Sequence, residues 1–324
     1  MKTTYMGLEL SSPIIVSSSP FTATVPNIEQ CAKHGAGAVV LKSIFEEQIL
    51  HEAASLERQS ESIYGDADIY LQRFLEDDYK ARFVSLIKEA KAKVNIPIIA
   101  SINCVGKSDL WIEYARELTD AGAAALELNI FMLSTDIREK AEQIERHYAE
   151  IVKKVTSEIK IPVTVKLPMR LTNVYNVADT LLSYGAKGIT MFNRFFEPDV
   201  DVEKMEFVES KPFSQPDELR NMLRTAAIFS AVLPQMELSL STGVHDGEAV
   251  VKALLCGAQT VQICSAIHAK GFEVIDQMNT YLNDWAHRHN FKSINEFRGK
   301  LNFRENTSSM WQRVQYMRYF PAKD

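Results

Sequence analysis

Polar side chains end several otherwise apolar segments of this 324-residue chain, and these residues could do chemistry. The clearest case runs from Ala124 to Ile130, where Glu127 and Asn129 stand at the end of an apolar run. An asparagine amide both donates and accepts hydrogen bonds, so Asn129 suits a flat, polar ligand. The next three residues, Phe131 to Leu133, cannot take a proton at neutral pH.

The same pattern recurs where other apolar runs end. Hydroxyl, amide, thiol and ammonium groups follow these runs, and together they suit a planar heterocycle with carbonyl groups and ring nitrogens. The polar residues at these ends are Ser17, Ser18, Lys42, Asn103, Lys166, Asn193, Ser241, Thr242, Cys264 and Ser265. We therefore expect them to meet around one binding site.

Eight apolar runs of strand length alternate with longer amphipathic segments. Nearly continuous apolar runs are typical of parallel strands that are covered on both faces. Eight strand–helix units predict an α/β fold, a (β/α)8 TIM barrel, with a doubly wound sheet as the alternative. The predicted strands are 13–17, 38–42, 96–103, 124–130, 161–167, 188–193, 237–241 and 260–264.

No linker rich in Pro, Gly or Ser divides the sequence, which predicts a single domain over residues 1–324. Two insertions, 46–79 after the second strand and 194–216 after the sixth, follow strand ends where barrel active sites lie. Each is predicted to be a lid or a subunit contact. Residues 310–320 have the spacing of an amphipathic packing or dimer helix.

The loop from Ser241 to Gly247 has the composition of an anion site. Glycines allow backbone N–H groups to approach a phosphate, and the loops after strands seven and eight are the common phosphate site of barrels. The predicted phosphate contacts are Ser241, Thr242, Gly243, Cys264 and Ser265. His245 could also contact a phosphate, although a histidine in such a loop is more often solvated.

Composition narrows the classes of function. The net charge of −6 disfavours nucleic-acid binding. The four cysteines have no CxxC spacing, which indicates no metal site and a reduced, cytoplasmic setting. No apolar run of 18 residues and no apolar signal core is present, so we expect no membrane segment.

Eight short motifs, in the same order along the chain, resemble those of the dihydroorotate dehydrogenase family of flavin barrels. No single motif is decisive, but their order and spacing are compatible with a barrel. The similar segments are Leu8–Ser17, Leu41–Ser43, Ser101–Asn103, Glu127–Asn129, Val165–Pro168, Ser241–Val244, Val261–Ala266 and Phe297–Leu301.

The resemblance implies an FMN-dependent oxidoreductase that acts on the CH–CH group of a small cyclic substrate, as in the oxidation of dihydroorotate to orotate in pyrimidine biosynthesis. It places Lys42 and Lys166 along the flavin ring. It places Asn103, Asn129 and Asn193 near the flavin and the substrate. Arg194 stands where the family has a threonine and could bind a substrate carboxylate, with a solvated loop arginine as the alternative. It also implies a cytoplasmic homodimer and a possible electron-transfer partner subunit, with fumarate or NAD as the final acceptor.

One motif departs from the family pattern. The catalytic base of the family, a Cys or Ser after the fourth strand, falls on Met132, whose thioether cannot act as a base. Ser134 is the candidate replacement if the loop shifts in register. Two alternatives therefore stay open: a flavin-binding relative with another substrate or no activity, and a Schiff-base lyase that uses Lys166.

Overall fold

The computed structural model describes residues 1–45, 80–104, 110–194, 198–208 and 212–303. The predicted insertion 46–79 and the predicted helix 310–320 lie outside these residues. The single domain over residues 1–324 stays a prediction.

Eight parallel strands close into a barrel, which confirms the predicted (β/α)8 fold and excludes the doubly wound sheet. In chain order the strands are β1 (Thr3–Tyr5), β2 (Leu8–Leu10), β3 (Ile14–Val16), β4 (Ala38–Val40), β5 (Ile44–Phe45), β6 (Ile98–Asn103), β7 (Ala125–Asn129), β8 (Val163–Pro168), β9 (Gly188–Asn193), β10 (Asp199–Asp201), β11 (Glu206–Val208), β12 (Glu237–Ser241) and β13 (Thr260–Ile263). The barrel follows the order β3, β4, β6, β7, β8, β9, β12, β13, and pairing of β13 with β3 and of β4 with β6 completes the ring. All eight predicted strands are present, with ends within two residues of those expected.

Helices surround the barrel. They are α1 (Val25–Lys33), α2 (80–93), α3 (Leu110–Asp120), α4 (Ala141–Glu158), α5 (Val174–Ser183), α6 (Leu219–Val232), α7 (Gly247–Leu255), α8 (Ser265–Lys270) and α9 (Glu273–Arg288). None of the helices among the described residues is long and apolar enough to cross a lipid bilayer.

The core has two layers. The larger cluster of buried apolar residues lies between the strands and the helices. A smaller cluster fills the bottom of the barrel, where Tyr5 of the β1–β2 hairpin packs with Ile15 and Ile99. Above this smaller cluster the interior of the barrel becomes polar. Tyr5 Oη lies 2.8 Å from Thr164 Oγ1, and Glu127 and Gln262 are buried. Because alternate residues of a strand face inward, these polar side chains project into the barrel interior.

The insertion after β9 contains an antiparallel hairpin, β10–β11. Val200 and Phe207 pair directly across it, so their side chains share one face. Both are exposed, as are Val202 and Met205 near the turn. We refer to Val200, Val202, Met205 and Phe207 as the hairpin patch.

Candidate active site

A cavity of about 190 Å³ opens where β3, β8, β9, β12 and β13 end. Ten of the predicted site residues line it, which brings together side chains that are up to 248 positions apart in the chain. They are Ser17, Ser18, Lys166, Asn193, Arg194, Ser241, Thr242, Gly243, Cys264 and Ser265. Phe213 and Ser214 of the insertion also form part of the wall, although the sequence motifs did not single them out.

The predicted asparagines lie at the ends of β6, β7 and β9, within four consecutive strands of the barrel. Asn193 Nδ2 donates to Asn129 Oδ1 at 2.9 Å. Asn129 is in register with Asn103 of β6, and Asn103 Oδ1 is buried with no hydrogen-bond partner among the described residues. A buried amide oxygen of this kind is a group that a ligand donor could satisfy. Lys42, also predicted here, follows β4 and is half-buried.

Lys166 projects into the cavity from β8. Its side chain is buried, and Nζ donates to Ser17 Oγ at 3.2 Å. Ser17 in turn donates to Gln262 Oε1 at 3.1 Å. The ammonium group therefore lies on the cavity wall at a position set by side chains of three strands.

Three groups converge on the hydroxyl of Ser214. Gly243 N–H donates to Ser214 Oγ at 3.3 Å, while Ser265 Oγ and His245 Nε2 lie 3.2 and 3.1 Å from the same oxygen. Ser214 N–H also donates to Ser265 Oγ at 3.0 Å. A backbone N–H, a hydroxyl and an imidazole around one oxygen resemble the surroundings that a phosphate oxygen requires.

Gly243 cannot be replaced without movement of the backbone. Its φ is +77°, and a Cβ atom would lie 2.3 Å from the backbone nitrogen of Leu219. The preceding Thr242 also has a positive φ of +78°, which is uncommon for a β-branched residue. Such a backbone is typical of functional turns, where it directs N–H groups towards a ligand.

Burial shifts the pKa of two groups of this loop region. It lowers the pKa of His245, whose side chain is half-buried and contacts Ser214. The imidazole is therefore only partly exposed to solvent. Burial raises the pKa of the Cys264 thiol, which favours a thiol over a thiolate.

Arg194 lies at the edge of the cavity, but its guanidinium is engaged within the protein. Its Nε donates to Glu218 Oε2 at 2.9 Å, and Nη1 donates to the Pro212 carbonyl at 3.4 Å. Each side chain of this ion pair is one-quarter exposed. A carboxylate ligand would have to share Arg194 with Glu218.

The loop after β7 contains the two candidates for the base position. Met132 is half-buried, and its N–H donates to Tyr148 Oη at 3.3 Å. Ser134 is exposed, and its Oγ accepts a hydrogen bond from Asp136 N–H at 3.3 Å. Met132 and Tyr148 line a second cavity, of about 400 Å³, that Ser134 does not line.

The fold and the cavity at its strand ends define a (β/α)8 barrel whose candidate site contains amides, hydroxyls, a lysine and the loop after β12. Within the described part of the chain no cluster of three His, Cys, Asp or Glu could hold a metal ion. The sequence model of the dihydroorotate dehydrogenases matches residues 1–285. The chain belongs to the dihydroorotate dehydrogenase family and is an oxidoreductase of that family.

Individual relatives are named for different activities. The chain is 24% identical to the catalytic subunit of dihydroorotate dehydrogenase B (NAD(+)) from Alkaliphilus metalliredigens, over 93% of this chain and 98% of that protein. It is 23% identical to the chloroplastic dihydropyrimidine dehydrogenase (NADP(+)) of Arabidopsis thaliana, over 92% of this chain and 76% of that protein. It is 25% identical to the Escherichia coli NAD-dependent dihydropyrimidine dehydrogenase subunit PreA, with the same two coverages.

A solved structure has the same fold. The crystal structure of DHODH from Eimeria tenella in complex with ferulenol superposes with a TM-score of 0.65. The alignment covers 92% of this chain and 87% of that chain at 15% identity, a level that establishes the fold alone.

Proposed function

We propose that the protein is an FMN-dependent dehydrogenase that acts on the CH–CH group of a small cyclic substrate. The observation that supports this most directly is the convergence of Gly243 N–H, Ser265 Oγ and His245 Nε2 on one oxygen, that of Ser214. These groups fit a phosphate. The cofactor supplies the hydride acceptor, whereas the protein supplies binding, orientation and charge.

In this proposal the site residues divide into three groups. Ser241, Thr242, Gly243, Cys264 and Ser265 hold the phosphate end. Lys42 and Lys166 provide positive charge beside the ring, where they favour its reduced, anionic form. The remaining assignments are Ser17, Ser18 and Asn103 to the cofactor, Asn193 and Arg194 to the substrate, and Asn129 to both.

The substrate we propose is a reduced pyrimidine ring other than dihydroorotate. Arg194 at the cavity edge is already paired with Glu218, which disfavours the carboxylate of dihydroorotate. Oxidation of either ring releases a proton as well as a hydride. Met132 cannot accept that proton, and the hydroxyl of Ser134 is exposed and already accepts a hydrogen bond from Asp136 N–H, so in this proposal the proton passes to solvent. Ser134 would act as the base only after a change in the loop. Two of the relatives described above are named as dihydropyrimidine dehydrogenases, which supports this class of substrate.

Anaerobic mixing tests the proposal. The FMN-loaded protein is mixed with dihydrouracil or with dihydroorotate, and the loss of flavin absorbance is followed. We expect bleaching with the neutral ring and little with dihydroorotate. Rapid bleaching by dihydroorotate that disappears in Ser134→Ala would show that Ser134 is the base and that the substrate proposal is wrong.

The same experiment separates the alternatives. Bound FMN that no reduced pyrimidine bleaches would favour a flavin-binding protein without this activity. Purified protein that takes up no FMN would overturn the cofactor proposal. Borohydride trapping of a carbonyl compound on Lys166 would then favour the Schiff-base lyase.

We also propose a protein partner. Two relatives are named as subunits, which supports an electron-transfer partner here. The hairpin patch exposes apolar side chains, with Phe207 78% and Met205 87% exposed, and is available for that partner or for a second copy in a homodimer.

Light scattering of the native chain and of Phe207→Asp tests the homodimer. The measured molar mass should fall in the variant only if a dimer forms through the hairpin patch. The cytoplasmic location stays a prediction.

A further inference from the structure

A chain of three buried hydrogen bonds crosses the barrel from Lys166 to Glu127. Lys166 Nζ donates to Ser17 Oγ at 3.2 Å, and Ser17 Oγ donates to Gln262 Oε1 at 3.1 Å. Gln262 Nε2 then donates to Glu127 Oε2 at 2.6 Å. We call Lys166, Ser17, Gln262 and Glu127 the relay. Its members come from β8, the end of β3, β13 and β7, so the strands of the closed barrel hold it in place.

The burial of the Glu127 carboxyl group costs free energy of folding. It is fully buried, and its second oxygen, Oε1, has no hydrogen-bond partner among the described residues. Besides Gln262, the hydroxyl of Thr190 donates to Oε2 at 2.9 Å, and both donors are neutral. A buried carboxyl group with one oxygen left without a hydrogen bond destabilises a fold unless it has another use.

The chemistry of Glu127 determines the direction of every hydrogen bond in the relay. Oε2 of Glu127 accepts from Gln262 Nε2 and from Thr190, so Gln262 presents its Oε1 to Ser17. Ser17 then donates its single proton to Gln262 and can only accept from Lys166. The ammonium group at one end thus polarises the two neutral side chains that connect it to Glu127.

We propose that Glu127 is a positioning residue that holds the ammonium group of Lys166 on the cavity wall through Gln262 and Ser17. The relay belongs to the protein alone. Its consequence for the flavin rests on the function proposed above, because Lys166 matters to the cofactor only if the cofactor binds there.

The relay is tested first in the flavin-free protein. Gln262→Met has a similar volume and the same charge, but it removes both central hydrogen bonds. We expect acetylation of Lys166 by a small acid anhydride, quantified by mass spectrometry, to rise about fivefold, the factor for one net hydrogen bond. Ser239→Ala is the matched control: Ser239 is a fully buried β12 residue whose hydroxyl has no partner among the described residues. An unchanged rate in a folded Gln262→Met protein would overturn the proposal.

Exchange of the two groups tests Glu127 itself. Glu127→Met removes the acceptor for Gln262 and disrupts the relay, whereas Glu127→Gln keeps an acceptor oxygen and should change Lys166 reactivity little. Gln262→Glu alone disrupts the relay by placing two carboxyl groups together. The double variant E127Q/Q262E restores one donor and one acceptor at each link, and Lys166 reactivity should return to within about twofold of native. Failure of this recovery in a folded double variant, or equal effects of Glu127→Met in the native and Gln262→Met backgrounds, would show that Glu127 does not act through Gln262.

A flavin measurement adds the functional consequence. Gln262→Met changes no charge, so a purely structural role leaves the midpoint potential of bound FMN unaltered. The relay predicts a more negative potential, because a mobile Lys166 stabilises the reduced flavin less. If the native chain binds no FMN, the proposed function fails, while the acetylation experiment still decides whether the relay positions Lys166.

Discussion

Gly243 N–H donates a hydrogen bond to Ser214 Oγ at 3.3 Å, although 29 positions separate the two residues. Ser214 belongs to the insertion after β9, and Gly243 belongs to the loop after β12. The insertion therefore contributes a side chain to the predicted phosphate site. This contact makes the affinity for a phosphorylated ligand sensitive to the insertion.

Ser214→Ala should weaken FMN binding about five- to tenfold, since one net hydrogen bond is lost. Riboflavin, which lacks the phosphate, should bind the variant and the native protein equally. Quenching of flavin fluorescence measures both dissociation constants. Tighter FMN binding by the variant would show instead that the serine hydroxyl competes with the phosphate.

Gly243→Ala should destabilise the fold more than Gly7→Ala. Both glycines have a φ of +77°, so an added Cβ costs each variant about 1–2 kcal/mol of backbone strain. At Gly7 no atom lies within 4 Å of the added Cβ, whereas at Gly243 the backbone of Leu219 lies at 2.3 Å. We expect an additional loss of about 2 kcal/mol in the free energy of unfolding at Gly243. Urea denaturation of the two variants measures the difference, and equal losses would contradict the geometry.

Met132→Cys should increase the rate at which dihydroorotate reduces the bound flavin, because a thiol can ionise and remove a proton. A gain of about 10- to 100-fold is expected, below the full effect of a well-positioned base. Leu133→Cys is the control, since Leu133 is 71% exposed in the same loop. Stopped-flow absorbance measures both rates, and an equal gain at both positions would argue against Met132 as the base position.

Glu218→Gln should release Arg194 for anionic ligands. The loss of the partner carboxylate leaves the guanidinium free to bind a substrate carboxylate, and KM for such a substrate should fall about two- to fivefold. A neutral ring should show no change. Asp217→Asn is the matched control, because Asp217 is exposed and pairs with Arg220. A parallel fall of KM for neutral and anionic substrates would exclude this role of Arg194.

His245 should make the flavin-free protein less stable in acid. Burial lowers its pKa in the folded state, whereas in the unfolded chain it titrates near its ordinary value of about 6.5. The stabilising contribution is therefore complete above pH ~6.5 and is lost as the pH falls towards the lower, folded pKa. The melting temperature of His245→Gln should fall less between pH 7 and pH 5 than that of the native protein. His287→Gln, at an exposed position near the end of α9, should follow the native curve.

The sequence by itself located the eight strands and most of the cavity wall. Eight apolar runs separated by amphipathic segments favour a covered parallel sheet, whereas the choice of a closed barrel over a doubly wound sheet depended on the pairing of distant strands. The carboxyl ends of parallel strands meet at one edge, and this is why Lys166, Asn193 and Ser265 could be assigned to one site from their positions alone.

Only the tertiary structure decided how these residues are connected. Ser214 lies 21 residues beyond the end of β9 in an insertion without periodicity, and Gln262 lies inside a strand where a polar residue has no local signal. Both contact the site because the closed barrel and the returning insertion bring distant segments together. Hydrogen bonds between such segments depend on distances that no local pattern encodes, so Glu127, Gln262 and Ser17 became a relay only once the barrel was closed.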